Sequence, residues 1–429
     1  MYAEDHSRIY EFRQLKKEIR GSDKYLIIGI DVAKDKHHAF FGTATGKTLL
    51  KRLVFTNDME GFKKLLTYTN AVKVKQALEK VIFSLEPTAN YHKPLCEYLV
   101  KCGGNVVIVS GKVVTNNREM MDNRWDKNDT KDSANIADLI SQAKFMYYDY
   151  PAMPLRDLRN LLSLKRRLKK QEHGLKVRIR NHLLAQYFPE LDRFYGQSES
   201  MGLSVVRWCL SPSAIAKMGY EQFERFIYPG SRMSVGQQGR LKTIFRKAAD
   251  SIGCQGGKAL EFEAKIMVEG LQQIREAIQE TNNKIEEICL HFPEYSYLLT
   301  IPGFGPDISS KLLAAIGDPF RFDNHKQVLK MAGMDLSASR SGKSSNAITP
   351  VISKKGKAEL RYALYQAAFI ASTRNQSFVM YYTNKLRGRE KEKGIKTKMR
   401  VKLAAKILII AWTLMKKKQA FNPEFLRMD

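Results

Sequence analysis

The chain has 429 residues, with 72 Lys and Arg against 44 Asp and Glu, a formal net charge of +28. That length favours two or three domains, and that surplus of positive charge attracts a polyanion, nucleic acid first and an anionic membrane surface second. The five cysteines form no CxxC pair or zinc spacing, and the longest apolar stretch, residues 403–415, is too short for a bilayer and contains Lys406, which excludes a disulfide scaffold and a membrane-spanning protein.

Residues 1–24 read as a charged, mobile helical extension, polar throughout and unlike a signal peptide. From 25 to 150 the pattern alternates. "KYLIIGIDVA" is a strand rich in β-branched residues, and "KHHAFFGTATGKTLLKRLVFTN" gives two more around the turn "TATGK". "GFKKLLTYTNAVK" reads as helix, "VIFSLEPTA" as strand, "YHKPLCEYLVKCGG" as a helix ending at glycines, and "NVVIVSG" as a strand followed by helices. Three hairpin-linked strands followed by alternating helices and strands predict a mixed α/β domain on one sheet.

Residues 151–297 offer no convincing strand. Leu161, Leu164, Leu168, Leu175, Ile179 and Leu183 mark one apolar seam; Ala264, Met267, Leu271, Ile274, Ile278, Ile285 and Ile288 mark a second, with Thr281 in a seam slot. The spacing is that of a coiled coil, and also that of two helices facing an ordinary core. The first seam is basic and the second acidic, which favours pairing within the chain or across a dimer. Between them, 190–257 is glycine-rich and reads as an irregular insertion at the coil tip. Residues 298–429 are helical and basic, and Ile301-Pro302-Gly303-Phe304-Gly305 forms a helix-hairpin-helix-like turn. Such a turn frees backbone N–H groups for a phosphate, or is a tight structural connection.

Four acids stand out. Asp31 ends the first apolar strand and Glu86 ends "VIFSL", so adjacent strands would bring both carboxylates to one sheet edge. A bare charge there is expensive unless it is paired or holds a cation. Asp129 and Asp132, three apart, share one face of a helix start. Singly, each has a plain reading as a strand-end or helix-capping acid. Converging, the four would repel one another unless a cation sat among them; their hard oxygens suit Mg²⁺, or Mn²⁺ in its place. Two such ions would clamp a phosphodiester. The basic tracts 165–180, which include Lys165, Arg166, Arg167, Lys169 and Lys170, and 385–402 are candidates for nucleic-acid backbone or plain solvated helix faces. "SASRSGKSSN" is by itself a Ser-rich linker, although Arg340, Lys343 and Arg361 could neutralise charge at a phosphate attacked by one of its serines.

"GIDVAKDKHHAFF", "LEPTANYHKPLCEYLVKCGGNVVIV" and "KNDTKDSANIADLI" resemble the N-terminal domain of the "IS one-ten" insertion-sequence transposases and related pilin-gene invertases. "LLTIPGFGPDISSKLLAAIGDPFRF", "MAGMDLSASRSGKSS" and "ISKKGKAELRYALYQAA" resemble their second domain. The resemblance implies a RuvC-like, RNase H-like domain over 25–150 with a DEDD tetrad at Asp31, Glu86, Asp129 and Asp132, a helical coiled-coil domain over 151–297, and a transposase domain over 298–429. It further implies Ser341 as nucleophile in a covalent serine–phosphate intermediate, with Ser339, Ser344 and Ser345 as rivals. The partners implied are donor and target double-stranded DNA, a structured non-coding RNA that pairs with both, and further copies of the chain in a dimer or tetramer, in the bacterial cytoplasm at the nucleoid. Where the family usually has Gly and Ala, this chain has Ala89 and Ser133. The rival expectation is a metal-dependent nuclease or junction resolvase with water as nucleophile.

Overall fold

The computed structural model of the chain describes residues 3–122, 129–192, 199–229, 233–337 and 351–426. Two units emerge, one of Met1–Met153 with Gly317–Asn324, the other of Pro154–Ile316 with His325–Asp429.

The first unit begins with helix α1 (Ala3–Glu18). It is not a mobile extension: Leu15 and Ile19 are buried with Ile27, Ile82 and Val107, and Arg8 donates to the carbonyls of Tyr148 and Tyr150. The stripe Ile9, Phe12, Leu15, Ile19 supplies the apolar face that the helix's overall polarity conceals. Then follow β1 (Tyr25–Asp31), β2 (Lys36–Thr43), β3 (Thr48–Thr56), α2 (Met59–Lys75), β4 (Lys80–Leu85), α3 (His92–Lys101), β5 (Asn105–Ile108), α4 (Gly111–Asp122), α5 (Asp129–Ser141) and the short β6 (Met146–Tyr147). The sheet order is β3-β2-β1-β4-β5-β6. The first three strands form an antiparallel meander, β1, β4 and β5 are parallel, and β6 is antiparallel to β5. The mixed α/β sheet expected over this stretch is therefore present.

β1 is buried on both faces, which is why it reads as an unbroken apolar run. Its residues Leu26, Ile28 and Ile30 pack with Phe62, Leu65, Leu95 and Leu99 of α2 and α3. Tyr25 and Ile27 pack on the other side with Val114, Ile136, Leu139 and Ile140 of α4 and α5. Residues 317–324, read from the sequence as part of the C-terminal domain, belong to this unit; Arg321 pairs with Asp149 at 2.5 Å and His6 with Asp318 at 2.9 Å.

The second unit is mostly helical. Helix α6 (Met153–Arg178) continues through a π-helical stretch, Ile179–Leu184. The segment expected to be irregular instead holds α7 (Glu199–Trp208), α8 (Pro212–Lys217), α9 (Tyr220–Ile227) and α10 (Val235–Ala249). Their Phe223, Ile227, Leu241 and Ile244 share a core with Leu260, Ala264 and Val268 of α11 (Lys258–Leu290), and that burial outweighs the helix cost of Gly236 and Gly239. Of the second seam, α11 buries Ala264, Leu271, Ile278, Thr281 and Ile285, but Val268 and Cys289 rather than Met267 and Ile288. Where α6 meets α11, one ion pair runs in the opposite sense to the expected one, with the acid on α6 and Arg275 on α11, while His182 and Glu263 lie 3.8 Å apart in the expected sense. Glu172 is buried among Lys169, Lys176 and Arg275, at 2.9, 3.2 and 3.4 Å. Burial pushes its carboxyl up, but Lys169 and Lys176 outweigh that and hold it at about 2. The remaining elements are α12 (Pro293–Leu299), α13 (Pro306–Ile316), α14 (His325–Ala332), the ladder of β7 (Leu336–Ser337) and β8 (Val351–Ile352), α15 (Ala358–Arg374), α16 (Gln376–Leu386) and α17 (Ile395–Lys417).

Candidate active site

Asp31 is the last residue of β1 and Glu86 directly follows β4. These strands are parallel neighbours, with Ile30 beside Leu85, so the two acids stand at adjacent positions on one carboxyl edge in the middle of the sheet. Strand alternation puts Asp31 on the side of Ile27, the face covered by α4 and α5. Glu86 lies on that face too: its Oε1 is 2.5 Å from where a Cβ on Gly111, the first residue of α4, would stand. Asp132, on α5, is 4% exposed. Its Oδ1 lies 2.6 Å from Arg118 Nη2 of α4, off the line of a hydrogen bond, and this buried oxygen has no hydrogen-bond partner. Asp129 is the first residue of α5; its side chain lies outside the described residues.

Gly29 sets this arrangement. It sits between Ile27 and Asp31 on the α5 side of β1, where a Cβ would collide with the Ser133 carbonyl oxygen and the Ala137 nitrogen. Without a side chain, β1 lets α5 lie directly on it, and that contact brings the acid-bearing first turn of α5 to the strand end. A buried polar ladder fixes α5 against α4: Asn117 donates to Asn135 Oδ1 at 2.7 Å and Asp138 Oδ2 at 2.8 Å, and Asn135 donates to the Val114 carbonyl at 2.8 Å. Arg118, Asn117 and Asn135 were not legible in the sequence, and the one available signal was Gly29, a glycine inside an isoleucine-rich strand.

The turn after Glu86 explains what Ala89 does. Its φ is 45°, the left-handed region that a glycine adopts freely. A Cβ there costs about 1–2 kcal/mol, offset by roughly 0.5–1 kcal/mol from the greater freedom of an unfolded glycine. Ala89→Gly is therefore expected to stabilise the protein slightly, by up to about 1 kcal/mol; a lower melting temperature would contradict the strain.

Asp31, Glu86 and Asp132 are hard oxygen donors on one face, the chemistry that a divalent cation takes, and Asp132 is ion-paired with Arg118. Among the described residues no group of three such side chains is close enough to form a metal cluster.

In the second unit, Ser341, Arg340 and Lys343 lie outside the described residues. The base of their loop is described. β7 pairs with β8, and Ser353 Oγ donates to Asp335 at 2.5 Å. Arg361 Nη1 donates to the carbonyls of Ala332 and Gly356, at 2.9 and 3.0 Å. Its guanidinium thus ties the loop base to α15. Gly303, at φ 90°, packs against α15, where a Cβ would come within 2.5 Å of the Ala367 carbonyl oxygen, while Gly305 has open space around it.

Lys165, Arg166 and Lys169 line a cavity of about 680 Å³ between α6, α13 and α15, together with Arg159, Lys311 and Lys357. Arg167 and Lys170 are exposed and outside its wall. Asp307 holds Lys165 at 2.6 Å and Lys311 at 2.7 Å, and Arg166 lies 3.3 Å from Glu359. Arg159, Lys311, Lys357 and Tyr362 were not singled out from the sequence because they come from three separate helices.

Residues 28–189 match the family DEDD_Tnp_IS110, described as transposase, and residues 295–383 match the transposase IS116/IS110/IS902 family. The chain is 24% identical over 404 residues to the insertion element IS116 uncharacterized 44.8 kDa protein of Streptomyces clavuligerus, covering 92% of this chain and 96% of that one. It is 24% identical over 371 residues to the insertion element IS110 uncharacterized 43.6 kDa protein of Streptomyces coelicolor, covering 84% and 87%.

Proposed function

Because the chain belongs to the IS116/IS110/IS902 family of transposases, an enzyme family acting on DNA in transposition, we propose that it cuts and rejoins DNA through a serine nucleophile assisted by an acid cluster on an RNase H-like sheet. The carrying observation is the placement of Asp31 and Glu86 at one carboxyl edge, on the face covered by the helix that bears Asp132. A DEDD-type transposase domain suggests dependence on a divalent metal. Asp31, Glu86, Asp129 and Asp132 would hold it. Bound there, Mg²⁺ or Mn²⁺ would withdraw charge from the scissile phosphate.

The oxygen of Ser341 attacks the phosphorus, a serine–phosphate ester forms, and a deoxyribose oxygen leaves with the serine's proton. Attack by a hydroxyl of another strand reverses the step and rejoins the DNA without loss of bond energy. Arg340 and Lys343 neutralise the charge that develops. Arg361, by tying the loop base, acts as a positioning residue. Gly303 and Gly305 turn the chain into α13, and Lys165, Arg166, Arg167, Lys169 and Lys170 follow the nucleic-acid backbone.

A structured non-coding RNA that pairs with donor and target DNA would relieve the protein of reading sequence. Strand exchange needs two cleavage centres, hence a dimer or tetramer; the exposed Phe262 and Ile266, four residues apart on α11, suit a helix of a second copy. A place in the cytoplasm at the nucleoid belongs to this reading. Among the described residues, no helix is long and apolar enough to cross a membrane.

The test is cleavage of DNA carrying the element's junction, with and without chelator. Cleavage should vanish in the chelator and return with Mg²⁺ or Mn²⁺. Cleavage that persists without divalent metal contradicts the acid cluster's role.

A further inference from the structure

We propose that the basic cavity of the second unit seats one unpaired nucleotide of a single-stranded nucleic acid, its phosphate on Lys165, Arg166 and Lys357 and its base stacked on Tyr362. The inference rests on the reading of the chain as a nucleic-acid enzyme and assigns this cavity a ligand.

Six cations line the cavity with one carboxylate, Glu359, and Asp307 and Glu172 pair with three of the six, Lys165, Lys311 and Lys169, which leaves a net positive charge among the described residues. Such a wall concentrates negative charge, and at about 680 Å³ the space is that of a small-molecule pocket. It has room for a single nucleotide. A duplex keeps its bases stacked inside and offers such a pocket only its phosphate edge. The floor is apolar, with Leu162, Ala314 and Leu360. Tyr362 stands in the same wall, 64% exposed, with its ring open to a ligand in the cavity. Gln366 Nε2 donates to its hydroxyl at 2.7 Å, which restrains the ring. A restrained, solvent-facing aromatic beside a row of cations is the pairing by which proteins hold single strands: cations take phosphates, and the ring takes a base of any sequence. Asp307, between Lys165 and Lys311, keeps both ammonium groups at the cavity.

The test is equilibrium binding, in chelator so that no cleavage enters the readout, of the full chain to labelled oligonucleotides of about 15 residues. Single-stranded DNA, single-stranded RNA and the DNA duplex are compared for wild type, Tyr362→Ala, Tyr362→Phe and Lys357→Ala. Stacking of one base is worth roughly 1–3 kcal/mol, so Tyr362→Ala should weaken single-strand binding by about tenfold and leave duplex binding unchanged, while Tyr362→Phe binds as wild type. Loss on DNA or on RNA identifies which strand the cavity takes. Lys357→Ala should flatten the logarithmic salt dependence by roughly 0.7 on single strands. Equal single-strand affinity for wild type and Tyr362→Ala, or an equal loss on the duplex, overturns the proposal. Because binding is read without cleavage, its failure leaves the serine mechanism standing, and failure of the serine mechanism leaves this site standing.

Discussion

Asp31→Asn reduces DNA cleavage by about a thousandfold and leaves the melting temperature near that of wild type. A divalent ion at a transferring phosphate contributes several kcal/mol of transition-state stabilisation, and each 1.36 kcal/mol is a factor of ten, which gives about three orders of magnitude. Asn keeps the size of Asp but removes the charge that a hard cation needs. Asp31 is half-buried at a strand end, so the amide is tolerated there. Asp132→Asn separates from it in a useful way. That carboxylate is buried 2.6 Å from Arg118, whose side chain is 22% exposed. Its loss leaves a partly buried guanidinium without its counter-charge, so this variant loses cleavage and also melts lower. Cleavage and thermal unfolding measured side by side check both. Near-wild-type cleavage by Asp31→Asn contradicts a catalytic acid edge.

Gly29→Val unseats α5. Its Cβ would collide with backbone atoms of Ser133 and Ala137, which cannot swing aside as a side chain does. The helix must lift from β1, and the core contacts of Ile136, Leu139 and Ile140 weaken with it. Overpacking costs typically 1–3 kcal/mol and more where only backbone can yield, so about 3 kcal/mol or greater is expected. Cleavage falls as well, because Asp132 leaves the strand edge. Hydrogen exchange across 129–141 should rise strongly; unchanged protection there contradicts the role given to Gly29.

The strand-end acids were legible because "LIIGID" and "VIFSLE" end apolar runs in carboxylates, and the order of hairpins and crossovers made the two strands neighbours. What stayed hidden depended on contacts between distant residues. The stripe of α1 is diluted by charge, so it read as extension until Leu15 and Ile19 met the sheet. The glycines of 190–257 masked four helices whose burial comes from α11. The return of 317–324 to the first unit is secured by Arg321 with Asp149 and by His6 with Asp318, partners far away in sequence. Arg361 looked like a charge for a phosphate; its two carbonyl partners give it a structural task that sequence cannot display.

A covalent serine–phosphate intermediate would survive denaturation and carry the DNA label onto the protein. Protein, any co-purifying RNA, Mg²⁺ and end-labelled DNA carrying the element's junction are mixed and denatured on a gel, with wild type, Ser341→Ala and Asp129→Asn in parallel. A labelled protein band is expected in wild type and absent from both variants. Cleaved DNA without an adduct, with Ser341→Ala as active as wild type, contradicts the serine intermediate and leaves water as the nucleophile.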